Sequence, residues 1–88
     1  MTDLSHGAAW FGGRIIPVAE AAIPVTDWGV THADIGYDVV PVWRGGFFRL
    51  DDYVDRFLAS VAALRLEIGM DAAGVKSALT QMVAASGL

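Results

Sequence analysis

The sequence predicts one α+β domain in which two antiparallel β-hairpins are followed by two amphipathic helices. Two Gly-Gly pairs, at 12–13 and 45–46, lie between short apolar segments that suit paired strands. Apolar residues then recur at helical spacing between residues 50 and 64, and again between 75 and 83. An aspartate that can cap a helix, Asp51 or Asp71, lies at the start of each helical segment.

The first hairpin is predicted from Ala8 to Phe11 and from Arg14 to Val18. A Gly-Gly loop between these strands readily adopts the positive φ angles of a two-residue turn. Pro17 would end the second strand or lie at a sheet edge, because proline has no N–H to donate. Residues 19–29 are expected to form turns around one extended piece.

The second hairpin is predicted to start near Ile35. Residues 37–44 alternate with the period of a strand, Gly45-Gly46 would turn the chain, and residues 47–49 would return. Pro41 indicates an edge strand or a bulge. Both faces of the longer strand are apolar, which fits a strand covered on two sides or one that borders a pocket.

Two helices complete the predicted fold. The first would run from an Asp51 N-cap to about Glu67 and stop at Gly69. Its apolar face would consist of Leu50, Val54, Phe57, Leu58, Val61 and Leu64. The second would run from Asp71 to Gly87, with an apolar stripe formed by Val75, Leu79, Met82 and Val83.

The composition predicts an apolar surface that so short a chain cannot cover by itself. Hydrophobic residues make up 55% of the 88 residues, and the mean hydropathy is +0.47. A domain of this size buries only about 60% of the surface of its unfolded chain. More chain, a subunit or a ligand is therefore expected against an apolar face.

Charge and composition argue against several classes of function. The net charge is −4 and the six basic residues are scattered, whereas nucleic-acid binding needs a basic patch. No apolar run approaches the roughly 18 residues of a membrane span, and residues 1–6 lack the features of a signal peptide. Without cysteine there is no disulfide or thiolate zinc site, and the separation of His6 and His32 matches no zinc pattern. The simplest interpretation is a soluble cytoplasmic protein that binds no metal.

Arg56 is the leading candidate for anion binding. Its guanidinium is a rigid fork of donors that fits phosphate oxygens, and it adjoins the apolar face of the first helix. The alternative is an ordinary surface ion pair with Asp52, one turn earlier. Asp34 and Asp38 are expected to have structural roles, and Lys76, the only lysine, is expected to be solvated.

The segment around Arg56 resembles a motif of the class IV (fold-type IV) aminotransferases. That motif is similar to Leu-Asp-x-His-x-x-Arg-Leu followed shortly by serine, and this chain has LDDYVDRF over residues 50–57, then Ser60. Tyr53 and Phe57 depart from the histidine and the leucine of the motif. The resemblance implies that Arg56 binds the phosphate of pyridoxal 5′-phosphate.

The segment from His32 to Trp43 is similar to the pocket strand of this family, in particular of R-selective amine transaminases and D-amino-acid aminotransferases. The resemblance implies that His32, Tyr37 and Val39 face the substrate. Val40 and Pro41 depart from the amine-transaminase pattern, so the pattern does not decide which substrate is preferred. The alternative is that Tyr37, Val39 and Trp43 pack in a core.

The resemblance covers residues 10–88 and implies that residues 1–88 are the N-terminal small domain of a class IV aminotransferase, a group that includes branched-chain aminotransferases. Such an enzyme, expected to be a homodimer, moves an amino group between an amine or amino acid and a keto acid or ketone. A C-terminal domain absent from this chain would supply the cofactor lysine, so the chain alone is expected to be inactive. Two alternatives are an enzyme of the same fold like the aminodeoxychorismate lyases, and a non-catalytic α+β interaction domain.

Overall fold

The computed structural model describes residues 7–87 and confirms an α+β fold with two antiparallel hairpins followed by two long helices. Residues 1–6 lie outside the described residues. Two expectations depend on them: that the N-terminus has no signal peptide, and that His6 forms no zinc site with His32. In chain order the elements are β1 (Ala8–Phe11), β2 (Arg14–Pro17), a 3-10 turn (Val18–Glu20), α1 (Trp28–Thr31), β3 (Val42–Trp43), β4 (Gly46–Phe47), α2 (Leu50–Ala63) and α3 (Ala72–Ser86).

The first hairpin matches the prediction. β1 and β2 pair antiparallel with Phe11 opposite Arg14, and the two loop glycines have φ angles of +61° and +80°. Positive φ at both loop positions is the turn geometry that follows the twist of paired strands. The Trp10 N–H donates to the Met82 sulfur at 3.1 Å, which joins this hairpin to α3.

The second hairpin turns one residue earlier than predicted. Trp43 pairs with Gly46, so the turn residues are Arg44 and Gly45, with φ angles of +51° and +77°. The prediction of a Gly45-Gly46 turn was therefore wrong. Arg44 accepts the left-handed conformation with its guanidinium carbon 5.5 Å from the centre of the Trp43 ring, a cation–π contact that favours the turn.

Residues 33–41 are not in a strand, so the predicted strand over 37–44 was wrong for its first five residues. The last hydrogen bond of the hairpin runs from the Phe48 N–H to the Pro41 carbonyl at 3.0 Å. α2 begins only two residues later, at Leu50. The returning strand is thus too short to pair with residues 37–40, and a strand without a partner forms no ladder.

One short helix was missed. α1, Trp28–Thr31, lies where the sequence predicted a turn, and the Asp27 side chain caps it by accepting the Gly29 N–H at 2.8 Å. A helix of four residues has no room for an apolar period. Its only sequence signal was the Asp27 cap.

α2 begins earlier than predicted. The Arg49 carbonyl accepts the first helical hydrogen bond, from the Tyr53 N–H at 3.2 Å, so Arg49 and not Asp51 is the N-cap residue. Arg49 has φ of +51°, and its side chain pairs with Asp52 at 2.7 Å. Asp51 and Asp52 lie in the first turn, where negative charge is favourable to the helix dipole.

α2 also ends earlier than predicted, at Ala63, because the chain reverses at Arg65 and not at Gly69. Arg65 has φ of +57°, and the Leu66 N–H reaches back across it to the Val61 carbonyl at 3.0 Å. This is a Schellman-type helix end, which usually has glycine at the left-handed position.

α3 was predicted correctly. Asp71 accepts the Gly74 N–H at 2.9 Å, and Gly87 ends the helix in the left-handed conformation. Val75 from the predicted stripe is buried, but so is Ala78, which the stripe omitted.

The core lies mainly between α2 and α3 and is small. Among residues 7–87 the buried side chains are Val54, Val61, Val75 and Ala78. Many large apolar side chains remain exposed, as the composition predicts. They include Val25, Trp28, Ile35, Tyr37, Val39 and Trp43. Within the described residues, no helix has the length and apolar character that a membrane crossing requires.

Candidate functional site

Arg56 lies at the boundary between the buried and exposed faces of α2. Val54, two residues earlier, is fully buried, while Phe57 is half-buried. The Arg56 side chain is 62% exposed, so its guanidinium reaches solvent at the edge of the core. This is the placement that helical spacing predicts.

The Asp38 carboxylate accepts two hydrogen bonds from one edge of the Arg56 guanidinium. Nε donates to Oδ2 at 2.9 Å and Nη2 donates to Oδ1 at 2.5 Å. Oδ1 also accepts the Val39 N–H at 2.8 Å, and the Asp38 side chain is only 13% exposed. The Asp38 carboxylate, which the adjacent Val39 N–H keeps in place, therefore binds the arginine side-on.

The predicted alternative for Arg56, an ion pair with Asp52, is wrong. Asp52 pairs instead with Arg49, and both side chains are more than half exposed. The partner of Arg56 lies 18 residues away in sequence, in the extended segment that precedes β3. The expectation of a structural role for Asp38 agrees with this contact.

Both members of the Asp38–Arg56 pair are charged at neutral pH. The hydrogen bonds from Arg56 lower the pKa of Asp38, an effect that partial desolvation opposes and the Val39 N–H reinforces. The same hydrogen bonds raise the pKa of Arg56 above its already high value. At neutral pH the site therefore presents a cation next to an anion.

Tyr53 lies against the face of the guanidinium. The Arg56 guanidinium carbon is 4.7 Å from the centre of the Tyr53 ring, within the range of a cation–π contact. Tyr53 occupies the motif position at which the aminotransferase pattern has histidine. The guanidinium is thus restrained on one edge by Asp38 and on one face by Tyr53.

An apolar groove adjoins this pair. The groove encloses about 130 Å³ and is lined in part by Asp38, Val39, Val40, Tyr53, Phe57 and Leu79. It brings the extended segment, α2 and α3 together. An oxyanion on Arg56 with an apolar body attached to it would have the body within reach of this groove.

The three predicted pocket residues are not brought together in this chain. Val39 lines the groove, whereas His32 and Tyr37 do not. His32 lies just after α1, where its Nδ1 is 2.8 Å from the Thr31 hydroxyl and its ring packs on Trp28.

Tyr37 and Val39 do not pack in a core here, so that alternative is wrong for the described residues. They are 87% and 54% exposed, and Trp43 is 75% exposed. The alternate residues Gly36, Asp38 and Val40 are half-buried, so burial in this segment alternates as in a strand, although the segment pairs with no other strand among the described residues. Tyr37 and Val39, which the predicted alternation placed on the same face, consequently share one outward face.

Lys76 is held in an ion pair and is not simply solvated as predicted. Its Nζ lies 2.5 Å from Asp51 Oδ1, and its side chain is only 33% exposed. The hydrogen bond to Asp51 is the main cause of a raised pKa for Lys76, so the amine stays protonated.

The described residues fit the phosphate end of pyridoxal 5′-phosphate. A guanidinium has five N–H donors, and Asp38 takes two of those on Arg56. Within residues 7–87 no hydrogen bond uses Nη1. At the other end of the cofactor, covalent attachment needs an unprotonated amine, which Lys76 does not provide.

Comparison with known proteins finds similarity to aminotransferases. The chain is 30% identical over 73 residues to a D-alanine aminotransferase from Bacillus licheniformis, which covers 83% of this chain and 26% of that protein. It is 31% identical over 71 residues to a D-alanine aminotransferase from Listeria innocua, covering 81% of this chain and 25% of that protein. It is also 28% identical over 80 residues to branched-chain-amino-acid aminotransferase-like protein 1 from Arabidopsis thaliana, covering 91% of this chain and 14% of that protein.

The chain thus spans about a quarter of the length of the D-alanine aminotransferases that it matches. No protein-family model matches it. The matches agree with the resemblance to aminotransferases. The chain is therefore similar, over part of their length, to D-alanine aminotransferases and to a branched-chain aminotransferase-like protein, which is consistent with an N-terminal fragment of a class IV aminotransferase.

Proposed function

We propose that residues 1–88 form the N-terminal small domain of a pyridoxal-phosphate-dependent class IV aminotransferase. Such an enzyme transfers an amino group between an amine or amino acid and a keto acid or ketone. The similarity to D-alanine and branched-chain aminotransferases supports the class. The observation that carries the site is the Arg56 guanidinium, fixed side-on by Asp38, which also lines the apolar groove.

In this proposal Arg56 binds the cofactor phosphate through its remaining N–H donors. Its pKa is raised, so it carries its charge at every physiological pH. Val39, Tyr53 and Phe57 pack against the body of the bound molecule and exclude water from it. When bound, pyridoxal phosphate supplies the electron sink on which amino transfer depends.

His32, Tyr37 and Val39 have the proposed role of shaping the substrate pocket. The outward face that Tyr37 and Val39 share supports this role, because both side chains are available to a substrate or to further chain. Tyr37 can donate or accept one hydrogen bond, and His32 can do the same as a neutral imidazole. Val39 would limit the width of the pocket next to Arg56.

The remainder of the full-length enzyme would supply the cofactor lysine and cover the exposed apolar face. Two findings support this: the chain spans a quarter of its relatives' length, and several of its large apolar side chains are exposed. We further propose a homodimer located in the cytoplasm, as the family resemblance implies.

Amino transfer by the full-length protein that carries this chain is the direct test. We expect it to move the amino group of one or more amines or amino acids to a keto acid when pyridoxal phosphate is present. R56A should reduce this activity, and R14A, at an exposed arginine of the first hairpin, should not. Absence of turnover with every donor class would contradict the proposal and favour an interaction domain. Turnover by the isolated 88 residues would contradict the proposal that the cofactor lysine lies outside this chain.

A further inference from the structure

We propose that Asp38 is a positioning residue that aims Arg56 at its oxyanion, an inference that rests on the proposed phosphate-binding role of Arg56. The proposal comes from the side-on geometry of the pair. Asp38 would make no contact with the oxyanion, and would act on it only through the guanidinium.

A guanidinium offers two edges on which two parallel N–H groups can meet an oxyanion. One edge consists of Nε and Nη2, and the other of Nη1 and Nη2. Asp38 occupies the first edge, with contacts of 2.9 Å at Nε and 2.5 Å at Nη2. Because the group is planar and rigid, fixing the first edge also fixes the direction of the second. The second edge is then the bidentate site for phosphate.

The carboxylate that holds Arg56 is itself held in place. Oδ1 accepts the Val39 N–H at 2.8 Å, and the side chain is 13% exposed. Tyr53 restrains the plane of the guanidinium from one face, at 4.7 Å. Asp38 at one edge and Tyr53 at one face together leave the guanidinium little freedom to rotate, although most of the Arg56 side chain is exposed.

Asp38 also has an opposing effect, because its charge repels an anion on the far edge of the guanidinium. A carboxylate about 6 Å in water from a phosphate with a charge of about −1.5 weakens phosphate binding by roughly sixfold. Loss of the orientation of an arginine side chain can weaken binding by up to about thirtyfold. Orientation is therefore the larger effect, and removal of Asp38 should weaken anion binding.

The test is the affinity of the cofactor-free full-length protein for inorganic phosphate, measured by isothermal titration calorimetry, with the Arg56 Nε–H resonance of arginine-labelled protein as a second readout where Arg56 is present. D38A should raise the Kd by up to about fivefold and broaden the Arg56 resonance, as expected for a side chain that gains rotamer freedom. D38N, which keeps one acceptor, should give an intermediate Kd. D52A is the matched control: it removes the same charge one turn from Arg56 but leaves the Asp38 contacts in place.

The outcomes separate the two proposals. If R56A leaves the Kd unchanged, Arg56 is not the anion ligand, and both proposals are overturned. If R56A raises the Kd but D38A leaves it unchanged or lowers it, Asp38 acts as a competitor or a bystander, and only the positioning role is overturned. If D38A fails to fold, as judged by circular dichroism, the same comparison is made with D38N, and a wild-type Kd in D38N overturns the positioning role.

Discussion

Lys76 and Asp51 form an ion pair of 2.5 Å that joins α3 to the first turn of α2. The hydrogen bond to Asp51 is the main cause of the raised pKa of Lys76, and Asp55 adds to it through its charge. A protonated ammonium has no lone pair with which to attack a carbonyl. The only lysine of this chain is therefore a link between two helices.

We predict that the K76M variant of the full-length protein binds its cofactor covalently as the wild type does. After treatment with borohydride, both proteins should show the same mass increase by mass spectrometry. K76R, which keeps the positive charge, controls for loss of the ion pair. A K76M protein without the mass increase would show that Lys76 is the attachment site.

The Asp38–Arg56 pair should make the stability of the fold depend on acid pH. The folded-state pKa of Asp38 lies below its ordinary value of 3.8, so the unfolded chain binds the proton more readily. The contribution of the pair is then complete above that ordinary value and is lost as the pH falls through the lowered pKa. Urea unfolding between about pH 5 and pH 2 should show a smaller change for D38N than for the wild type. Superimposable pH profiles would contradict this.

Val54 should be one of the most sensitive positions in the chain. It is 1% exposed and lies where α2 meets the groove, so V54A removes two buried methyl groups and leaves a cavity. We expect a loss of about 1–3 kcal/mol in the free energy of unfolding. V25A is the matched control, since Val25 is 79% exposed, and it should stay within about 0.5 kcal/mol of the wild type. Equal losses in denaturant unfolding would contradict the assignment of the core.

Arg65 offers a stabilising substitution. Its φ of +57° costs a residue with a side chain about 1 kcal/mol, and glycine avoids most of that cost. R65G should therefore raise the free energy of unfolding by up to about 1 kcal/mol. R65A keeps the strain and should bring no such gain. Equal stabilities of R65G and R65A would show that the helix does not end as described.

The features predicted correctly from sequence depend on local signals. The first hairpin needs only its Gly-Gly turn, and α3 has an aspartate cap at Asp71 and a glycine at Gly87. These residues determine the backbone of the few positions around them. The ends of α2 were misjudged because Arg49 and Arg65 adopt left-handed conformations that sequence reasoning reserves for glycine and asparagine.

The candidate site was predicted only in part, because its main contact is not local. Helical spacing placed Arg56 at the edge of the apolar face, and the strand period placed Tyr37 and Val39 on one face. The partner of Arg56 lies in another element, and no short-range pattern joins Asp38 to it. The acidic residue between Tyr37 and Val39 was the only available signal, since a charged side chain on the inward side of an apolar extended segment needs a partner of opposite charge.

The contribution of the phosphate group to cofactor binding most directly tests the central claim, that Arg56 binds this phosphate. It is the ratio of the Kd values of pyridoxine and pyridoxine 5′-phosphate, neither of which has an aldehyde, measured on the cofactor-free full-length protein. Because a hydrogen bond to a charged group contributes about 1.5–3 kcal/mol, R56A should reduce this ratio by at least about tenfold, while R14A leaves it unchanged. The same ratio in R56A and the wild type would contradict the assignment of Arg56 as the phosphate anchor.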